Sequence, residues 1–253
     1  MSLRRSSALV RHEFRILRHD PLPFVLSFVL PLVMMWLLRD AFRAIFASTG
    51  GPDNGAAQAV PGMVVLYAMF LVANVAFGFL RERDWHTWAR LRGAGPSAAD
   101  LTAGKLFPGF CAITLLMAVL FAVGTVAFRL DIHGSVLSVG VLIVLFGAWL
   151  TACGGVIARL CRTAPQATAM ANLLALCVGG FGGALIPAET LPEWVQVVAH
   201  ANPAWWVMQG FRGSVTGEVS PTGPILVLTA WLVVTGAIAV VTVDRAYGDK
   251  SRR

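Results

Sequence analysis

Six long apolar segments of this chain contain no Asp, Glu, Lys, Arg or His, and no phosphate-cradling glycine loop ending in Lys-Ser or Lys-Thr occurs in its 253 residues. Each absence excludes a class of protein. A proton-coupled carrier keeps ionisable groups at membrane depth, where they are costly and mark function. A self-sufficient ATPase needs the missing loop. An intramembrane serine hydrolase needs a base beside its nucleophile, yet His12, His19, His86, His133 and His200 all fall outside the apolar segments. Gly213-Ser214 also lacks a nucleophile-elbow context. Cysteine is scarce: Cys111, Cys153, Cys161 and Cys177 have no metal-ligand spacing and no pairing that suggests an extracellular staple. They read as small apolar packing residues, and no metal site is expected.

What is present is hydrocarbon. Apolar residues make up 57% of the chain, mean hydropathy is +0.72 and only 13% of residues are charged. The apolar segments are Leu22–Leu38, Val60–Leu80, Leu106–Phe128, Val136–Ala158, Gln166–Pro187 and Ile225–Val243, most of them 19 to 23 residues long. About 20 helical residues cross a hydrocarbon core of roughly 30 Å. The expected fold is therefore an all-α integral membrane protein with six transmembrane helices, and residues 1–253 read as one membrane domain. The first segment is short, holds Pro23 and Pro31, and is open to extension past Arg39 and Asp40 toward Ala47. A charged stretch precedes it without a convincing small-residue cleavage site, so no removable signal peptide is expected.

The positive charge is topological. Of 20 Lys and Arg residues, 16 lie before span one, between spans two and three, between four and five, or after six. The intervening loops hold only Arg39, Arg43, Arg129 and Arg212. The positive-inside rule places both termini in the cytoplasm. The net charge of +7 and pI near 10.1 then suit anionic lipid headgroups rather than nucleic acid.

Three pieces outside the spans carry information. In residues 1–21, Leu3, Val10, Phe14 and Leu17 share one helical face and Arg11, Arg15 and Arg18 another. That pattern predicts a helix lying in the inner membrane interface. The connection Arg81–Lys105 exceeds the usual two to eight residues between neighbouring helices. Trp85, Trp88, Leu91 and Arg92 are spaced for one face of a short helix, broken by Gly93, Gly95 and Pro96. Ser97 and Asp100 resemble a capping box opening the next helix. The tryptophans point to docking in a protein groove or at the membrane interface.

The third piece, Gly179–Arg212, starts with glycines that permit close backbone approach. Thr190 is a candidate cap for a short helix with Pro192 and Glu193 in its first turn. Leu191, Trp194, Val195 and Val198 form its apolar side, and Asn202-Pro203 is read as its stop. Trp205 and Trp206 suit the outer interface. The piece is expected to dip into or rest on the outer leaflet.

These last two segments resemble those of the type-2 ABC exporter permeases, the membrane subunits of bacterial ATP-binding-cassette exporters for drugs, lipids and polysaccharides. Gly182–Arg212 is similar to the family signature: a small-residue run, a proline, Glu189-Thr190-Leu191-Pro192-Glu193-Trp194, then Asn202-Pro203 and an arginine. The loop with Glu82-Arg83-Asp84, Thr87, Arg90-Leu91 and Pro96-Ser97 resembles the family's cytoplasmic coupling segment. Arg18-His19-Asp20-Pro21 resembles its entry to span one. Where that coupling segment commonly has a glycine and, three residues later, a glutamate, this chain has His86 and Ala89.

The resemblance implies a permease in the bacterial inner membrane, built as two permease chains with two ATPase subunits. It implies no catalytic residue and no cofactor in this chain, with ATP and Mg on the partner. It also implies an interfacial helix over 1–21, a coupling helix within 81–105 and an extracellular helical element over 187–212. Glu82, Arg83, Trp85, Trp88 and Arg90 are the expected ATPase-coupling residues. Asn74, Phe70, Phe77 and Asn172 are candidates for the substrate pathway or for helix packing, with interhelical hydrogen bonding the commoner role of such asparagines. Trp149 is weighed in the same way. Glu189, Pro192, Glu193, Trp194, Asn202 and Pro203 mark the outer element. The expected cargo is an amphiphile such as a drug or antibiotic; the alternatives are a lipid or polysaccharide exporter and, further off, a secondary transporter.

Overall fold

A computed structural model describes residues 22–49, 55–84, 98–187, 190–217 and 220–248. The expected interfacial helix over 1–21, Trp85, Trp88 and Arg90 of the coupling segment, and Glu189 lie outside these residues. Every regular element among the described residues is helical. In chain order they are α1 (Leu22–Thr49), α2 (Ala56–Phe70), α3 (Val72–Asp84), α4 (Ala98–Ala127), α5 (Val136–Leu160), α6 (Ala164–Leu174), a π-turn (Ala175–Gly179), α7 (Glu193–Ala199), α8 (Pro203–Thr216) and α9 (Thr222–Gly248).

Four stretches are long and apolar enough to cross a membrane: Ala56–Arg81, Gly104–Ala127, Val136–Leu160 and Thr222–Ala239. A lipid core forces this choice, because a helix satisfies its own backbone hydrogen bonds where water is absent. The first expected span does extend past Leu38: α1 runs through Pro31 to Thr49 and carries an exposed Arg39–Asp40 ion pair at 3.3 Å. The expected connection Arg81–Lys105 is shorter than read. Helix α3 continues to Asp84 and α4 starts at Ala98, which leaves Lys105 buried within a helix.

The fifth expected span, Gln166–Pro187, leaves its helical path before the proline. Gly183 adopts φ +86°, a left-handed conformation that turns the chain and that L side chains rarely adopt. Beside it, a β-carbon on Gly182 would lie 2.6 Å from that of Ala204. The α6 path and the start of α8 therefore meet almost backbone to backbone.

Helix α8 is a correction to the reading of the outer element. Helix α7 does stop just before Asn202-Pro203, at Ala199, but the pair also begins a second helix. The Asn202 side chain accepts from Ala204 N–H at 2.9 Å and Pro203 occupies the first turn, where its missing N–H costs nothing. Val207, Met208, Phe211 and Val215 of α8 are buried, and the Phe211 ring lies 4.9 Å from that of Phe121 on α4. Thr190 does not cap α7: Pro192 holds the cap position, and the Thr190 hydroxyl donates back to Pro187 O at 2.8 Å. Val195 and Ala199 face inward at i and i+4, so Trp194 and Val198, read as part of the apolar side, are exposed.

Helices α2, α3 and α5 form the centre. Val75 on α3 is pinched between two glycines: a β-carbon at Gly109 of α4 would lie 2.7 Å from its Cγ2, and one at Gly154 of α5 would lie 2.6 Å from its Cβ. Helix α6 packs on α3 and the π-turn on α2, and the small residues Ala167, Ala171, Ala175 and Gly179 along this path are all buried and four residues apart, with Gly179 against Met69 and Leu66 of α2. Small residues at such steps let helices pack where lipid supplies no hydrophobic drive. Trp149 is also buried, stacked on Phe146 at 5.4 Å, and donates from Nε1 to Thr235 Oγ1 of α9 at 3.2 Å. Its role here is packing.

Gly154→Val should overpack the Val75 contact and destabilise the fold by about 1–3 kcal/mol. Gly140→Val on the same helix, where a β-carbon meets nothing within 4 Å, should be near neutral. Denaturation of the two variants in detergent measures the difference.

Candidate functional site

From Gly55 to Leu80 every residue is buried except Tyr67, Phe70, Asn74, Phe77 and Gly78. Steps of three, four and three place the first four on one helical face. The most enclosed span in the structure therefore shows a single stripe, made of three aromatic rings and one amide. Tyr67 and Phe70 meet edge-on with ring centroids 5.9 Å apart. The helix tightens within the stripe, where Asn74 N–H donates to Leu71 O at 3.0 Å, three residues back instead of four. Such local tightening inside a helix often marks a hinge.

Three of the sequence candidates, Phe70, Asn74 and Phe77, thus share one surface, and Tyr67 joins them unread. Its signal was available as the i−3 neighbour of Phe70. Asn172 stands on the neighbouring helix α6 and is exposed like Asn74. Neither side chain makes a hydrogen bond with the described residues. Chemically, the stripe offers ring faces and one amide to an amphipathic surface, and no ionisable group.

A second constellation lies at the other end of α2. Gln58 is 1% exposed, and its Nε2 donates to Gly183 O at 2.8 Å. One turn on, Gly62 sits so close to the Ala184 carbonyl that any β-carbon would collide with it. Asn202 completes the junction. While its Oδ1 caps α8, its Nδ2 donates to Val178 O at 2.7 Å in the π-turn, an oxygen that also accepts from Gly182 N–H at 2.9 Å. One side-chain amide thus satisfies the Gly183 carbonyl where the helical path breaks, and another adds a second bond to the Val178 carbonyl.

Gln58 escaped sequence reasoning because the span was begun at Val60. Helix α2 opens at Ala56, and a lone glutamine within Ala56–Ala59 was the available clue. Of the remaining outer candidates, Pro192 precedes α7, Glu193 and Trp194 are exposed in its first turn, and Pro203 is buried at the start of α8. The Trp205 and Trp206 rings stand edge-to-face at 4.9 Å. Trp206 Nε1 donates to His200 O at 2.7 Å, which ties the α7–α8 corner. Glu82 and Arg83 fall in the last turn of α3, at the end opposite this junction.

Known proteins resemble this chain in sequence. A family model described as ABC-2 type transporter matches residues 5–216. The chain is 27% identical over 161 residues to the "Linearmycin resistance permease protein LnrN" of Bacillus subtilis (strain 168), covering 64% of this chain and 42% of that protein. It is 25% identical over 145 residues to the "Probable multidrug ABC transporter permease YbhR" of Escherichia coli (strain K12), covering 57% and 39%. The chain spans about two fifths of the length of these curated relatives.

Asn202→Ala removes a cap and a donor together and should cost about 1–2 kcal/mol. Asn202→Asp keeps the cap but sets a carboxylate oxygen against Val178 O, so it should remain destabilising. Thermal unfolding of both variants in detergent separates the two contributions.

Proposed function

The chain belongs to the ABC-2 type transporter family, and we propose that it is the permease subunit of an ATP-driven exporter for an amphiphilic substrate, of the drug or antibiotic kind. The observation that carries this reading is the Tyr67–Phe77 stripe, the one uncovered face of a span buried on all other sides. Aromatic rings with a single amide suit a molecule that is mostly apolar with a polar end. A polysaccharide path needs rows of donors and acceptors, and a proton-coupled carrier needs ionisable groups. The names of the two relatives, one a linearmycin resistance permease and one a probable multidrug permease, support the same substrate class.

In this reading α1 and the α6–π-turn path join the four long apolar stretches as spans one and five. Both termini lie in the cytoplasm in this reading, which the 16-to-four split of basic residues supports. Residues 81–105 face a separate ATPase, which holds ATP and Mg, and the working complex has two permease chains and two ATPase subunits. Glu82 and Arg83 continue the same helix as the stripe. Movement of the coupling segment, with Trp85, Trp88 and Arg90, is thereby transmitted along α3 to Asn74 as a packed, rigid element. Residues 187–212 form the extracellular end.

Replacement of both Trp85 and Trp88 by Ala should abolish substrate-stimulated ATP hydrolysis in the reconstituted complex while membrane insertion stays normal. Phe70→Ala with Phe77→Ala should instead change which amphiphiles stimulate hydrolysis. Transport in vesicles by the chain alone, or full stimulation in the double tryptophan variant, would overturn the reading.

A further inference from the structure

At the start of α2 one buried side chain is only half used. Gln58 donates from Nε2 to Gly183 O at 2.8 Å, while its Oε1, buried too, makes no hydrogen bond with the described residues. Exchanging the two amide atoms would set two carbonyl oxygens 2.8 Å apart, so the bond itself fixes which way the amide faces. A buried acceptor left unmade is costly.

Helix α2 is short of an acceptor at the same place. Gly55 holds its N-cap position and supplies no side chain, and the first turn has no acidic residue. Helix α1 dictates that glycine, because a β-carbon there would collide with Arg39 O. Gln58 is the third residue of α2. From that position a glutamine side chain reaches back to the N-cap N–H, as in a capping box. Within Gly55–Ala59 its Oε1 is the one side-chain acceptor. The side chain instead reaches across to the end of the α6 path. One amide thus has two uses, Nε2 on Gly183 O or Oε1 on Gly55 N–H, and rotation of the side chain exchanges them. Beside it α2 meets the turn through Gly62 and the backbone of Ala184, so parting them at this level unlocks no interdigitated side chains.

We propose that Gln58 is a two-position latch. With Nε2 on Gly183 O it holds the end of the α6 path against α2; on release its Oε1 caps α2 at Gly55 N–H. The cap offsets part of the bond given up, which narrows the gap between the two positions. The latch needs only these two contacts; the permease reading above adds that its release frees the extracellular end of α2.

Hydrogen–deuterium exchange of the full chain in lipid nanodiscs tests the latch, read over residues 179–187 and over the first turn of α2. Gln58→Met removes donor and acceptor together and should speed exchange at 179–187 about ten-fold, as for one lost buried hydrogen bond. Gln58→Glu keeps acceptors without an N–H donor. It should speed 179–187 in the same way, yet slow exchange of the first turn roughly three-fold or more against the methionine variant. On the unmodified chain, isotopic labelling of glutamine nitrogen isolates the Gln58 side-chain amide, and relaxation dispersion should show it moving between two environments. A flat dispersion profile overturns the proposal, and so does exchange at 179–187 that Gln58→Met leaves unchanged. Equal first-turn exchange in the two variants also overturns it, because Oε1 then has a bound water in place of a second position. Transport without an ATPase would sink the permease reading separately and leave all three results standing.

Discussion

The structure depends on how closely α3, α5 and α6 can approach one another. In lipid, apolar surface gains little by leaving one hydrocarbon environment for another, so helices hold together through packing and through the few polar contacts they share. Here the approach is made by glycines and alanines. Val75 fits where Gly109 and Gly154 leave no β-carbon, and Ala167, Ala171, Ala175 and Gly179 form a seam against α2–α3. Because these contacts enclose the span on nearly every side, the aromatic stripe is the face that the described residues leave incompletely covered. Stability and exposure of the candidate site therefore have one cause.

The outer junction follows from the same close approach. Once the α6 path comes that near to α2, its end turns at Gly183, whose carbonyl leaves the helical pattern. Gln58 of α2 answers it, and Asn202 at the start of α8 adds a second bond to Val178 O. Irregular backbone at membrane depth is tolerated where protein supplies its hydrogen bonds. The α2–α3 span thus has one fixed end and a tightened turn at Asn74, and in the proposed permease its other end meets the motor.

Much of this was legible from residues alone, and the misses have definite causes. Val136–Ala158 was read almost as Val136–Leu160 lies, because an uninterrupted apolar run of that length is helical in lipid; Ser135 caps its start and Arg159 lies in its last turn. Helix α8 was missed because Asn-Pro is a stop when read from the preceding helix and a start when the asparagine side chain folds forward. The early exit of α6 depended on one glycine dihedral, which hydropathy does not register. Phe70, Asn74 and Phe77 stood out as aromatic and amide positions in an apolar run, but their exposure arises from what α4, α5 and α6 cover. Gln58 was lost by starting a helix at its first strongly apolar residue.

The π-turn has a consequence for chain length. Steps of four overrun the 3.6-residue turn of an α-helix, so a seam of small residues drifts around the helix as it lengthens. One wider turn at Ala175–Gly179 slows that rotation and brings Gly179 back under Ala175. In effect the chain carries an inserted residue at this point. Deleting one residue there would restore regular helix and leave the chain beyond it facing much as it does now, whereas a deletion in the regular helix before it would swing everything beyond by about 100°, taking Gly183 away from Gln58. The wide turn is thus the place on this path where a change in length by one is absorbed most readily.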